Sequence, residues 1–126
     1  MKNVLLVGLG GFVGSAFRYL ISLYALKSFP GPLPLGTLFV NLVGSFLIGL
    51  LAGLMVKSNY EPLQLVLLTG FCGGFTTYST FSLEGLKMLE SYRYLYYGGY
   101  VGLSVVGGLA LCFLGFFLAQ KMTGFQ

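Results

Sequence analysis

Long apolar stretches separated by short polar connections run through the sequence. Four stretches are long enough to cross a bilayer, for which a helix needs about 20 mainly apolar residues. They are Asn3–Leu26, Leu35–Val56, Pro62–Leu89 and Tyr94–Ala119. The first connection, Phe29–Pro34, holds three prolines, which remove backbone donors and stop a helix. We predict an all-α integral membrane protein with four transmembrane helices in a single domain, residues 1–126.

The composition supports a membrane protein and limits its chemistry. Charged residues make up 8% of the chain, against about 25% in a typical soluble domain. The acidic residues are Glu61, Glu84 and Glu90, and the sequence contains neither aspartate nor histidine. Catalytic triads, carboxylate metal cages and histidine acid–base chemistry are therefore largely excluded, and we expect no enzyme. The seven cations are scattered singly, so we expect no nucleic-acid partner.

The basic residues are balanced between the two sides that four spans would create. One side carries Lys2, Lys57 and Lys121, and the other carries Lys27, Lys87 and Arg93. Because the lysine and arginine bias sets orientation, an equal count gives no preferred orientation. Either another feature decides the orientation, or the chain inserts both ways and assembles as an antiparallel pair. Small residues at fourfold spacing in the last three stretches would permit close helix packing within or between subunits.

The third stretch is interrupted near its middle by residues that form helices poorly. Two adjacent glycines, Gly73 and Gly74, precede a run of hydroxyl side chains that extends from Thr76 to Ser82. One interpretation is an unbroken helix whose hydroxyls bond to carbonyls four residues earlier. The other is a broken helix, whose freed carbonyls and amides must face protein, ions or water rather than lipid. Half-helices of this kind build ion sites, since carbonyl ends hold cations and amide ends favour anions.

Uncharged polar residues form lines along two other stretches. They are Thr37, Asn41 and Ser45 in the second stretch and Tyr100 and Ser104 in the fourth, where Gly108 continues the line, each at a spacing of four. Asn41 either makes a structural hydrogen bond between helices or donates to a polar path. Tyr78 and Phe81, three residues apart, either pack or present their positive ring edges to an ion. A path with many donors and no carboxylate suits an anion rather than a cation.

Two charged positions inside the apolar stretches are candidate functional residues. Arg18 lies well within the first stretch. A charge embedded in the membrane is a functional-site candidate unless it snorkels to the near interface. Glu84 and Lys87 lie late in the third stretch, where they either line a wet vestibule or pair locally.

Three segments resemble a known family. They are Gly10–Tyr19, Gly36–Phe46 and Gly70–Phe81. Through these segments, and over essentially its whole length, the chain resembles the Fluc (CrcB-like) fluoride channels, which are small four-span membrane proteins. The resemblance implies an antiparallel, dual-topology homodimer in the bacterial inner membrane, with the third helix broken and two separate fluoride pores. Each pore would release cytoplasmic fluoride passively down its electrochemical gradient and so give fluoride resistance.

The resemblance also implies roles for individual residues. The fluoride pore would use Asn41, Tyr78, Phe81, Ser79, Thr80, Tyr100 and Ser104. Arg18 and Glu84 would line the vestibule. A structural sodium ion at the dimer centre would be held by the backbone carbonyls of Gly73 and Thr76. The family usually carries phenylalanine where this chain has Tyr78.

Two other functions stay open. A small dual-topology multidrug transporter also has four spans, but it couples transport to protons through an intramembrane acid, and the first stretch has none. A non-transporting membrane assembly subunit would leave Asn41 and the hydroxyl run without purpose. We therefore favour a fluoride channel whose partners are the fluoride ion, a second copy of the chain and the lipid bilayer.

Overall fold

The computed structural model describes residues 1–124, and every regular element in that range is helical. The last two residues of the predicted domain, 1–126, lie outside the described part. The helices are α1 (Lys2–Ser28), α2 (Leu35–Met55), α3 (Glu61–Gln64), α4 (Gly73–Phe75), α5 (Tyr78–Glu90), α6 (Tyr94–Gly102) and α7 (Gly108–Met122). Two π-helical segments, Leu65–Cys72 and Leu103–Gly107, join α3 to α4 and α6 to α7. Residues 61–75 are therefore one continuous rod, the first half-helix, and α5 is the second half-helix.

Three helices are long and apolar enough to cross a membrane, by length and composition. They are α1, α2 and the continuous last helix, Tyr94–Met122. Their bounds agree closely with three of the four predicted spans, which confirms an all-helical, multi-pass membrane protein. The predicted third span, Pro62–Leu89, is divided between the two half-helices. Each half-helix is shorter than the roughly 20 residues that one bilayer crossing requires.

The connections follow the local sequence. α1 ends at Ser28, just before the prolines, and α2 begins directly after Pro34, whose carbonyl accepts a hydrogen bond from the Leu38 amide at 3.1 Å. The turn after α5 contains Tyr92 at a φ of 56°, in the left-handed region that few residues other than glycine adopt. This turn lets the Arg93 amide reach the Met88 carbonyl at 2.9 Å and directs the chain into the last helix.

Glycines let the helices touch backbone to backbone along two seams. At the first seam, α1 packs against the first half-helix, and a Cβ added to Gly70 would lie 2.7 Å from the Val7 carbonyl oxygen. At the second, α2 packs against α7, and a Cβ on Gly53 would lie 2.6 Å from that of Ala119. Such close approach is the usual role of small residues between membrane helices. The seams fix the first half-helix and the last helix against α1 and α2.

A small core holds the second half-helix in place. Tyr100 is fully buried and packs with Leu38 and Met88, and Phe81 lies against this cluster. The core therefore joins α2, α5 and α6 near the N-terminal end of the last helix. Most large apolar side chains of α1 stay exposed, as expected of a surface that faces lipid or another subunit.

Candidate functional site

The two half-helices are separated by two extended residues, which we call the break. Thr76 has φ −85° and ψ 159°, and Thr77 has φ −148° and ψ 119°. The Thr77 hydroxyl oxygen accepts a hydrogen bond from the Thr80 amide at 3.2 Å and so caps the second half-helix. Thr76 and Ser82 instead donate their hydroxyls to the carbonyls four residues earlier, those of Cys72 and Tyr78. The helix is therefore interrupted at the break, while hydroxyls on either side of it still bond carbonyls four residues earlier.

Side chains from α1 and α2 satisfy backbone groups that the break releases. The Asn41 Nδ2 donates to the Thr77 carbonyl at 3.0 Å, and the Thr77 amide donates to the Asn41 Oδ1 at 2.7 Å. The Arg18 Nε donates to the Gly74 carbonyl at 3.0 Å. The bonds to the Thr77 amide and the Gly74 carbonyl replace helical hydrogen bonds that would otherwise be lost in a medium without water.

A groove of about 460 Å³ lies beside the break and is called here the break groove. Six of the predicted site residues line it: Asn41, Gly73, Thr76, Tyr78, Phe81 and Ser104. Among the described residues, no aspartate or glutamate contributes to its wall. The Ser104 Oγ is buried and has no hydrogen-bond partner within residues 1–124. The groove thus combines amide and hydroxyl groups with aromatic rings and carries no negative side chain.

Aromatic rings lead from the break groove to the half-buried carboxylate of Glu84. The ring centroids of Tyr78 and Phe81 are 5.8 Å apart, and those of Phe81 and Tyr100 are 5.2 Å apart. The Tyr100 hydroxyl donates to Glu84 Oε2 at 2.8 Å, and the Thr37 hydroxyl donates to Glu84 Oε1 at 2.9 Å. Both carboxylate oxygens of Glu84 are therefore engaged by hydroxyl donors.

A second cavity of about 380 Å³ opens beside the first connection. Thr37, Glu84 and Lys87 line it together with residues of the proline-rich turn. Glu84 consequently lies between this cavity and the ring series. The vestibule role of Glu84 stays a prediction. Arg18, the other predicted vestibule residue, does not line this cavity and bonds the Gly74 carbonyl.

Two predicted pore hydroxyls lie beside the cap rather than along the rings. The hydroxyl oxygens of Ser79 and Thr80 lie 3.3 Å and 3.1 Å from the Thr77 Oγ1. They form a small hydroxyl cluster at the start of the second half-helix. Their proposed contact with fluoride stays a prediction.

Comparison with known proteins identifies the family. Residues 5–116 match the family described as "CrcB-like protein, Camphor Resistance (CrcB)". The chain belongs to the CrcB-like family. A protein named "Fluoride-specific ion channel FluC" from Gloeothece citriformis is 46% identical over 122 residues, which cover 96% of this chain and 99% of the relative. The protein of the same name from Chlorobaculum tepidum is 48% identical over 122 residues, covering 95% and 96% of the two chains.

The site around the break also contains residues that are not among the predicted site residues. Thr77 supplies the cap and pairs with Asn41, and a threonine directly before a helix is a recognisable N-cap signal. Thr37 belongs to the polar line of the second stretch but not to the predicted site, and its hydroxyl donates to Glu84. Gly44 approaches the Thr76 side chain so closely that a Cβ there would overlap the Thr76 Cγ2. No spacing in the sequence indicates that contact.

Proposed function

We propose that this CrcB-like chain is a fluoride-selective channel that releases cytoplasmic fluoride passively down its electrochemical gradient. The proposed assembly is an antiparallel, dual-topology homodimer with two pores in a bacterial inner membrane. Relatives named as fluoride-specific channels support this proposal over nearly the whole chain. A channel of this kind performs no chemical conversion, so the proposed protein is not an enzyme.

The observation that carries the proposal is the composition of the break groove. Asn41 and Ser104 contribute polar groups there, Tyr78 and Phe81 contribute rings, and no described acidic side chain lines the wall. Fluoride is a small, strong hydrogen-bond acceptor, so it leaves water only where donors replace its hydration shell. Ring edges carry partial positive charge and can contact such an anion.

The remaining proposed pore residues extend this path. Tyr100 touches Phe81 and bonds Glu84, so the ring series leads toward the proposed vestibule. Ser79 and Thr80 add hydroxyls at the start of the second half-helix. Arg18 adds positive charge near the break, which would attract an anion in a region of low dielectric constant.

A structural sodium ion is part of the proposal, and the backbone at the break fits a cation. The Thr77 amide, the helical partner that the Gly73 carbonyl would have, donates to Asn41 instead. The Thr80 amide, which would serve the Thr76 carbonyl, donates to the Thr77 hydroxyl. Gly73 is exposed, and a Cβ there would meet nothing within 4 Å. Carbonyls released in this way are suitable sodium ligands, and bound sodium would offset their partial negative charge.

The proposed second copy follows from what a single chain leaves uncovered. Tyr78 is 80% exposed although it lines the break groove, and polar backbone open to lipid is strongly unfavourable. A second copy would cover this face and supply further carbonyls to the sodium ion. Its antiparallel orientation is supported by the equal numbers of basic residues on the two sides of the chain.

Anion efflux from vesicles tests the function. Purified protein reconstituted into liposomes should release fluoride electrogenically when a potassium ionophore balances charge, while chloride scarcely moves. Phe81→Ile should abolish the fluoride release, and protein-free liposomes provide the background. Equal fluoride and chloride release would contradict selectivity. Proton-coupled uptake of a lipophilic cation would support a multidrug transporter, and no transport at all would support an assembly subunit.

A further inference from the structure

We infer that Asn41 is a positioning residue that holds the break through a two-point contact with Thr77. The carboxamide donates to the Thr77 carbonyl and accepts from the Thr77 amide, at 3.0 Å and 2.7 Å. Both bonds go to the same residue, as between paired strands. The contact itself rests on geometry alone, whereas its consequence for fluoride movement rests on the proposed function.

The backbone conformation of Thr77 makes the two-point contact possible. At φ −148° and ψ 119°, a residue is extended, so its own amide and carbonyl point to the same side of the chain. A helical residue directs these groups in opposite directions along the axis. The contact therefore requires the break, and it stabilises the break in turn. An amide can only donate, so the Asn41 Oδ1 must face the Thr77 amide and the Nδ2 must face its carbonyl.

The α2 surface is shaped to bring the break within reach. Gly44 lies three residues after Asn41, on the same face of α2. A Cβ at Gly44 would overlap the Thr76 Cγ2 and would lie 3.2 Å from Phe75 Cδ1. Only a residue without a side chain lets the break approach α2 this closely. Asn41 and Gly44 thus act together on the two ends of the break.

Fixing the carboxamide also fixes its second donor. The Asn41 side chain has two N–H groups, and the Thr77 carbonyl takes one of them. The second N–H shares the same rigid plane, and Asn41 lines the break groove. This N–H is therefore presented in a constant direction without the entropy cost of ordering a free side chain. Asn41 thereby combines support of the backbone with a preset donor for the anion.

Three substitutions separate this role from general support of the fold. Asn41→Leu keeps the approximate shape and removes both bonds. Asn41→Asp keeps the acceptor for the Thr77 amide but places negative charge against the Thr77 carbonyl. Gly44→Ala leaves Asn41 intact and displaces the break. Ser45→Ala is the matched control for the Thr77 contact, because within residues 1–124 the Ser45 hydroxyl bonds only the Asn41 backbone carbonyl, at 2.7 Å.

The amide resonance of Thr77 is the readout that distinguishes positioning from activity. Nuclear magnetic resonance of the full-length protein in micelles, with labelled threonine, should show this proton shifted downfield in the parent and in Ser45→Ala. In Asn41→Leu and Gly44→Ala it should move upfield and exchange about tenfold faster, which corresponds to about 1.4 kcal/mol. In Asn41→Asp it should move further downfield, because a carboxylate forms the stronger bond. Fluoride efflux should fall in all three variants.

The Thr77 resonance tests the two-point contact, and fluoride efflux tests the proposed function. A Thr77 resonance that is unchanged in Asn41→Leu or in Asn41→Asp overturns the two-point contact, even if the parent conducts fluoride. If Asn41→Leu fails to fold by circular dichroism, the opposite shifts expected for Asn41→Asp and Gly44→Ala decide the question. If the parent protein conducts no fluoride but its variants show the expected shifts, the proposed function is contradicted and the two-point contact is supported.

Discussion

The glycine seams and the break both bring backbones close together, but different properties of the sequence hold them. At the seam between α1 and the first half-helix, a Cβ on Gly10 or Gly14 would overlap a backbone carbonyl oxygen of the partner. The seam therefore depends on shape, because no side chain fits. At the break, the Asn41 side chain accepts from the Thr77 amide and the Thr77 hydroxyl accepts from the Thr80 amide, two donors that have no helical partner. The break depends on the chemistry of its partners, so the two regions should respond differently to substitution.

The largest expected effect is at the seam. Gly14→Ala places a methyl group against the Phe71 carbonyl and the Phe75 amide. We expect about 3 kcal/mol of destabilisation, the upper range for overpacking, measured as a loss of unfolding free energy in mixed micelles. Gly8→Ala is the matched control, because a Cβ at Gly8 meets nothing within 4 Å on the same helix. Equal stability of the two variants would show that shape does not determine the seam.

A smaller effect is expected when the charged partner of the break is removed. Arg18→Gln weakens the bond to the Gly74 carbonyl. We expect a loss of about 2 kcal/mol in unfolding free energy, since a bond to a charged group contributes about 1.5–3 kcal/mol. The exposed Lys27, on the same helix, provides the comparison as Lys27→Gln. Similar values for both variants would mean that Arg18 acts only as a general positive charge.

The smallest of the three effects concerns the cap. Thr77→Val keeps the side-chain shape and removes the acceptor for the Thr80 amide. We expect a loss of about 1 kcal/mol in unfolding free energy, with helix content by circular dichroism nearly unchanged. Thr69→Val makes the same replacement on the exposed face of the first half-helix, where we expect less than about 0.5 kcal/mol. A greater loss at Thr69 would contradict a capping role for Thr77.

The sequence predicts the helices far better than it predicts their contacts. Apolar length and the prolines between Phe29 and Leu35 give the bounds of α1, α2 and the last helix to within three residues, because lipid and proline act on single segments. The adjacent glycines and the hydroxyl run mark the position of the break. These signals are local in the chain, so a single sequence is enough to find them.

The partners across the site could not be predicted from the residues alone. Glu84 and Tyr100 are sixteen positions apart, and Asn41 and Thr77 are thirty-six apart. Which groups meet depends on how the seams set the rotation of each helix. The two π-helical segments, Leu65–Cys72 and Leu103–Gly107, likewise have no sequence pattern that distinguishes them from ordinary helix. The polar lines, the ring pair and the embedded charges indicated most of the candidate residues, and the family resemblance assigned their roles. Their hydrogen-bond partners could be seen only in the structure.

The π-helical segment Leu103–Gly107 has a further consequence for the last helix. A wide turn accommodates one more residue than an α-helical turn, and one residue corresponds to about 100° of rotation. The segment therefore lets two residues of the last helix face α2 together. Tyr100 packs beside Leu38, and Gly115 meets the Phe46 carbonyl. Regular α-helical winding with the same number of residues would rotate one of these two contact faces by about 100°, away from α2. Deleting one residue in the segment would restore regular winding and leave both faces directed at α2.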